Sequence, residues 1–244
     1  MIIQRISFLQ GLCLLCLIWV AVYFVISPRV PQVNTPDFKE ITSISERKQA
    51  FFEFFRPLIE AENAKILALR DALQHHPKQA LVAKLASQYN VMLDNPSRED
   101  DIKNLLAHVD IVPASLALAQ AAMESAWGTS RFATEGNNYF GQWCYTKGCG
   151  LVPTQRNAGA THEVQAFVSP ANSVAAYMRN INRHNSYRTL RTLRAKARTS
   201  QQPIYGCTLA NGLGNYSERG QAYVDEIKQM IRINGLSESI DAPC

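Results

Sequence analysis

A mainly helical fold of α+β type, with one small β hairpin and a preceding membrane helix, is what the sequence predicts. Three observations carry that reading. Successive stretches combine helix caps with helix-period apolar residues, and two short segments flank Asn157-Ala158-Gly159-Ala160 as a hairpin would. In addition, Ile6 to Ser27 is uncharged and mostly apolar. At 244 residues and 47% hydrophobic, the chain is long enough to bury a full core.

The elements follow in order. Ile6 to Ser27 lies between Arg5 and Pro28-Arg29 and has about the ~20 residues that cross a hydrocarbon core. No small-x-small cleavage site follows it. The expectation is an uncleaved signal anchor over residues 1–30, single-pass in the inner membrane, with the basic end in the cytoplasm and the rest in the periplasm. A cleaved signal peptide is the alternative. Residues 31–42, with Pro31 and Pro36, read as a linker. Residues 43–96 read as a helical extension. There Ser43 and Glu46 form a capping box ahead of an amphipathic helix from about Glu46 to Leu73, bent at Pro57, and a second helix runs from about Pro77 to Tyr89.

The remainder, 97–244, reads as the main domain. It opens with a helix from Ser97, with Asp100 three on, to about His108. LVPTQR and THEVQAF then make the hairpin, and helices from about Ser173 to Arg183 and Glu218 to Ile233 close the domain.

Between those parts lies IVPASLALAQAAMESAWG, from Ile111 to Gly128. Pro113 suits a first helical turn, and Leu116 to Met123 is apolar on nearly every face, which marks a buried helix ended near Gly128. Gln120 and Glu124 interrupt it four residues apart, one above the other. A lone carboxyl in such a setting, close to the negative end of its helix, favours its proton-holding form, as a general acid must. The competing reading is a structural Glu that caps backbone or pairs with a buried Arg.

The string ESAWGTSRFATEGNNYFGQW resembles the signature of the bacterial glucosaminidase family of peptidoglycan hydrolases, an E-S-x-W-G-x-S segment followed by an N-N-x-F-G turn. FVSPANSVAAYMRNINRHNSYRTL and GNYSERGQAYVDEI continue the likeness, and RKQAFFEFFRPLIEAENAKI with VDIVPAS is similar to the lead-in of its Bax-type branch. The resemblance implies a lysozyme-like helical lobe with a small β lobe beside a cleft, and makes 97–244 the glucosaminidase catalytic domain. It also implies endo-β-N-acetylglucosaminidase activity on peptidoglycan glycan strands, with no cofactor and no metal, in a monomer.

On that resemblance Glu124 is the general acid, and Tyr216 matches a family tyrosine that faces it. Trp127 is either an apolar wall for a sugar ring or core packing. Gln120, Asn138 and Phe140 fall on the substrate side, with Asn137, Asn138 and Phe140 also shaping the turn. Glu163 is the sole acid where a second carboxylate belongs. It is either the base, or the sugar's own acetamido oxygen attacks and one protein acid suffices.

Charge and cysteines narrow the rest. Val164 to Ser217 holds no Asp or Glu while arginines accumulate, which reads as a solvated basic face or as attraction to anionic polymer or lipid. No nucleic-acid motif accompanies the charge, so no nucleic-acid partner is expected. Cys144 to Cys149 reads as a tight Gly-containing hairpin whose ends suit a disulfide better than zinc, since no repeated C-x-x-C is present. Cys207 with Cys244 follows by elimination only. No H-E-x-x-H, G-x-S-x-G or P-loop is found. A lytic transglycosylase would usually carry a G-L-M-Q-like string, absent here, and a non-catalytic wall-binding protein is the rival from a different class.

Overall fold

In a computed structural model, residues 34–95, 98–154, 156, 159–237, 239 and 244 are described. The apolar segment 6–27, the Ser97 cap and the Asn157-Ala158 turn lie outside them. Among the described residues no helix is long and apolar enough to cross a membrane.

Pro36–Cys244 forms a single unit of mainly helical structure. Helix α1 (Ile44–His75) starts where Ser43 Oγ accepts the Glu46 backbone N–H, and it runs unbroken through Pro57. Phe51, Phe54, Phe55, Ile59, Ile66 and Leu73 mark its buried face at helical spacing. α2 (Gln79–Tyr89) ends on Asn90 in the left-handed conformation, and α3 (Glu99–His108) carries its acids in the first turn. α4 (Ala114–Glu124) is the central helix, buried from Ser115 to Ala122. α5 (Arg131–Gly136) leads into the strands.

After them come α6 (Pro170–Arg183, capped by Ser169) and a short 3-10 turn (Asn185–Tyr187). α7 (Arg188–Thr199), α8 (Gly206–Ala210) and α9 (Gln221–Ile233) complete the order. α4 packs against α1, α8 and α9, and its alanines let those neighbours approach closely. At Gly206 on α8 a Cβ would lie 1.9 Å from Ser115 Oγ, so only glycine fits there.

The β lobe has one strand more than a hairpin. β1 (Trp143–Cys144) and β2 (Gly150–Leu151) both pair antiparallel with β3 (Glu163–Gln165), in the order β1-β3-β2. β2 and β3 are the expected hairpin. The cysteine segment is not a second one, because β3 lies between the strands it joins. The disulfides Cys144–Cys149 and Cys207–Cys244 are both present.

The basic stretch is neither simply solvated nor simply free for ligands. α7 places Arg191, Arg194 and Arg198 at helical spacing on the side of Leu190, where a leucine stripe would ordinarily stand. What faces them is polar. Arg194, with no exposed surface, donates to the carbonyls of Ala107, Asp110 and Ile111, at the electronegative end of α3, and to Asn182 Oδ1. Arg198 holds the Asp110 carboxylate through Nη2 at 2.7 Å and Nε at 3.1 Å, and Arg70 of α1 reaches it at 3.4 Å. Burial works to raise the Asp110 pKa, yet the Arg198 hydrogen bonds and the Arg194 and Arg70 charges outweigh it and hold the carboxyl below its ordinary value. Burial in turn pushes Arg194 down to about 10, against the pull of Asp110.

Asp110→Ala is expected to destabilise the fold by roughly 3–5 kcal/mol in urea denaturation, since it strands buried guanidinium charge. The carboxyl pKa is lowered on folding, so its stabilisation is complete above the ordinary carboxylate range. It is lost as pH falls through the depressed folded value. An Asp110→Asn variant therefore loses that part of the acid-side slope in a stability-versus-pH series.

Candidate active site

Glu124 is the last residue of α4, and the turn after it explains its aim. Ala126, Trp127 and Gly128 have φ of +50°, +59° and +77°. For Ala126 and Trp127 this conformation costs roughly 1–3 kcal/mol each. It persists because the surroundings fix it. Ser125 Oγ donates to Ala121 O and accepts the Gly128 N–H, and the Trp127 N–H donates to Ala122 O. The Trp127 ring stands edge-on to Phe51 and Phe52 of α1, under Lys48. A Cβ on Gly128 would lie 2.3 Å from the Phe38 ring.

Behind Glu124 runs a buried relay of hydrogen bonds with one polarity. Tyr177 Oη (α6) donates to Gln120 Oε1 at 2.6 Å, and Gln120 Nε2 donates to Tyr223 Oη (α9) at 3.0 Å. Tyr223 Oη then donates to Glu124 Oε1 at 2.9 Å. Because its oxygen already accepts from the amide, the Tyr223 proton goes to Glu124. Oε1 is thus an acceptor, and a protonated Glu124 carries its hydrogen on Oε2. Oε2 lies beside Gly141, 3.4 Å from where a Cβ would stand. Burial raises the Glu124 pKa, and the Tyr223 hydrogen bond partly offsets the rise.

The cleft in front of Glu124 has a volume of about 490 Å³ and includes Phe140, Trp143, Tyr145, Tyr187 and Tyr216 in its wall. Glu124 is the only carboxylate among its described lining residues. Tyr216 stacks on Tyr223 with ring centroids 5.1 Å apart and donates its hydroxyl hydrogen to Phe140 O, so what it retains for a ligand is oxygen lone pairs. Trp143 is 56% exposed and stacks on His162 at 4.0 Å, and Tyr145 beside it is also exposed. The Cys144–Cys149 bridge fixes the backbone between these aromatic residues and β2.

Of the other expected site residues, Phe140 lines the cleft and the rest stand elsewhere. Trp127 packs into the α1 aromatic cluster and does not line the cleft. Gln120 has no exposed surface and meets Glu124 through Tyr223, on the side away from the cleft. Asn138 is likewise buried. Its Nδ2 donates to Gln142 O and Gln165 O, and its Oδ1 accepts the Phe140 and Gln142 N–H groups, which ties the turn to β3. Phe140 stacks on Tyr177 at 4.0 Å.

Glu163, on β3, accepts the Gly148 and Gly150 N–H groups at 2.9 and 2.8 Å. Those bonds lower its pKa, and it is not among the cleft residues. Its carboxylate lies beside the sulfurs of Cys144 and Cys149, but these are bonded to each other rather than free as thiolate ligands. Tyr177, Tyr223, Trp143 and Tyr145 escaped the sequence reading. Tyr223 had one signal, its place in GQAYVDEI, but nothing local aims it at Glu124.

Tyr223→Phe removes the bond that lowers the Glu124 pKa, so the Glu124 carboxyl is expected to titrate at higher pH than in the native protein. Carbon-13 NMR of that side chain checks this directly. A titration unmoved or shifted downward would show that the hydroxyl does not set the proton affinity.

Known proteins bear on the chain as a whole. The family model for mannosyl-glycoprotein endo-beta-N-acetylglucosaminidase matches residues 100–236. Protein bax of Escherichia coli (strain K12) is 33% identical over 209 residues, covering 82% of this chain and 74% of that protein. No solved structure matches. With more than half of its length under the family model, and that relative matched along most of both chains, the chain belongs to the glucosaminidase family, in its Bax-type branch.

Proposed function

We propose that the protein is a peptidoglycan hydrolase, an endo-β-N-acetylglucosaminidase that cuts β-1,4 bonds of cell-wall glycan strands with Glu124 as general acid. The observation that carries this reading is a carboxyl of raised pKa, fixed on one oxygen by Tyr223, with the other beside Gly141 in an aromatic-lined cleft. Family membership supports the glycan substrate.

The lack of a second carboxylate among the described cleft residues favours substrate assistance. Glu124 gives its Oε2 proton to the glycosidic oxygen as the C1–O bond breaks, and the sugar's acetamido oxygen bonds to C1 to form an oxazolinium ion. Water then adds to C1, passing a proton to the Glu124 carboxylate. The ring opens and the acetamide is restored. Tyr216, with its own hydrogen committed to Phe140 O, accepts the acetamido N–H and turns the carbonyl towards C1. The exposed Trp143 face supplies the sugar wall that the sequence reading sought in Trp127.

The same reading puts residues 6–27 in the inner membrane as a single-pass anchor and the Pro36–Cys244 unit in the periplasm. Two disulfides suit that compartment, since a reducing cytosol would open them.

Glu124→Gln keeps the shape and loses the proton, so glycan cleavage should fall by about 10²–10⁴-fold in a protein that stays folded. Mass analysis of the native digest should find new reducing N-acetylglucosamine ends. Muramic or anhydro-muramic ends would reassign the bond or the chemistry, and native-like activity in the variant would remove Glu124 from it. Glu163→Gln should change the rate by less than about tenfold, whereas a loss on the scale of the Glu124 variant would make Glu163 the base.

A further inference from the structure

A second cavity, of about 500 Å³, opens beyond the 3-10 turn that follows α6. The segment between them is shared, with His184, Ser186 and Tyr187 lining the cleft while Asn185 and Arg188 line the second cavity. No Asp or Glu contributes to it among the described residues. Its cations are Arg188 and Arg191, which repel one another, in contrast to Arg70, Arg194 and Arg198, which share Asp110. Arg191 is nearly buried and spends Nη1 on the carbonyls of Ile181 and His184, which fixes its position. Arg188 is exposed, and among the described residues it has no carboxylate partner. Such a pair leaves uncompensated positive charge on an open cavity and favours a carboxylate or phosphate there.

The rest of the wall selects between those two. Asn90, Asn104, Asn185 and Thr192 offer amide and hydroxyl groups that both donate and accept, and Met92 presents an almost fully exposed apolar side chain. That mixture matches a short peptide with backbone amides, an aliphatic side chain and a carboxylate. It exceeds what a bare anion needs.

We propose that this cavity binds an acidic peptide substituent of the glycan whose sugars occupy the cleft, with Arg188 as the principal contact to its carboxylate. The inference rests on the glycan-hydrolase reading for the identity of the strand. It makes the enzyme a reader of peptide as well as sugar.

The test is binding, with no bond cut. The full-length chain, carrying carbon-13 methionine methyls, is titrated with the dipeptide L-alanyl-γ-D-glutamate and separately with inorganic phosphate. The Met92 methyl is expected to shift saturably with the dipeptide. Arg188→Gln should weaken that response about tenfold or more while the other methionine signals keep their native positions. A Met92 signal unmoved by the dipeptide, or equal affinity in the variant, would overturn the proposal. So would phosphate matching the dipeptide, since the cavity would then be a simple anion hole. The outcome is independent of Glu124, so failure here and failure of the hydrolase reading are told apart.

Discussion

The direction of one short hydrogen-bond relay organises this protein. Tyr177 gives its hydrogen to the carbonyl side of Gln120, which leaves the amide nitrogen facing Tyr223 and the Tyr223 hydrogen on Glu124. Three helices meet in that sequence of contacts, so the orientation of the carboxyl is a property of the packed core rather than of a loop. A buried network of this kind is costly when half satisfied, and here each member has its partner. The apolar surroundings raise the proton affinity of Glu124 while Tyr223 limits the rise, and one oxygen stays available to the cleft.

A second polar centre does a different task. Asp110 joins α1, α7 and the end of α3 through Arg70, Arg194 and Arg198. Helix bundles usually make such junctions with leucine and isoleucine. Here the surface opposite α7 is a set of carbonyl groups that aliphatic side chains would leave unpaired, and arginine satisfies them. Arg188 and Arg191 belong to the same stripe but not to the Asp110 cluster, so one helix divides its charge between interior support and an open cavity.

Much of this was legible in the chain. The Ser43 cap, the α1 and α4 patterns, Ser173–Arg183 within α6, and the β2–β3 pairing followed from local rules, because capping, periodicity and turn chemistry act over a few residues. Glu124 stood out for a related reason, a lone carboxyl closing an almost wholly apolar helix. What escaped was relational. Trp127 and Trp143 are both tryptophans near the signature, and only tertiary structure shows that the first faces the α1 phenylalanines and the second the cleft. The resemblance puts Gln120 and Asn138 on the substrate side, and both turn inward to satisfy buried groups. The α7 arginines read as surface charge because their partners are backbone carbonyls, which no composition reveals.

The aromatic brace on the turn after Glu124 bears on what counts as the minimal folding unit. Phe38, Phe51 and Phe52 all precede the region that the family model spans, yet they pack directly against Trp127 and Gly128, which stand in left-handed conformations. Modularity in sequence and autonomy in folding therefore part company. A fragment cut at the family boundary would keep each residue of the cleft and lose the wall against which its strained turn is pressed, so the leading helix is an internal buttress of the site rather than an appendage.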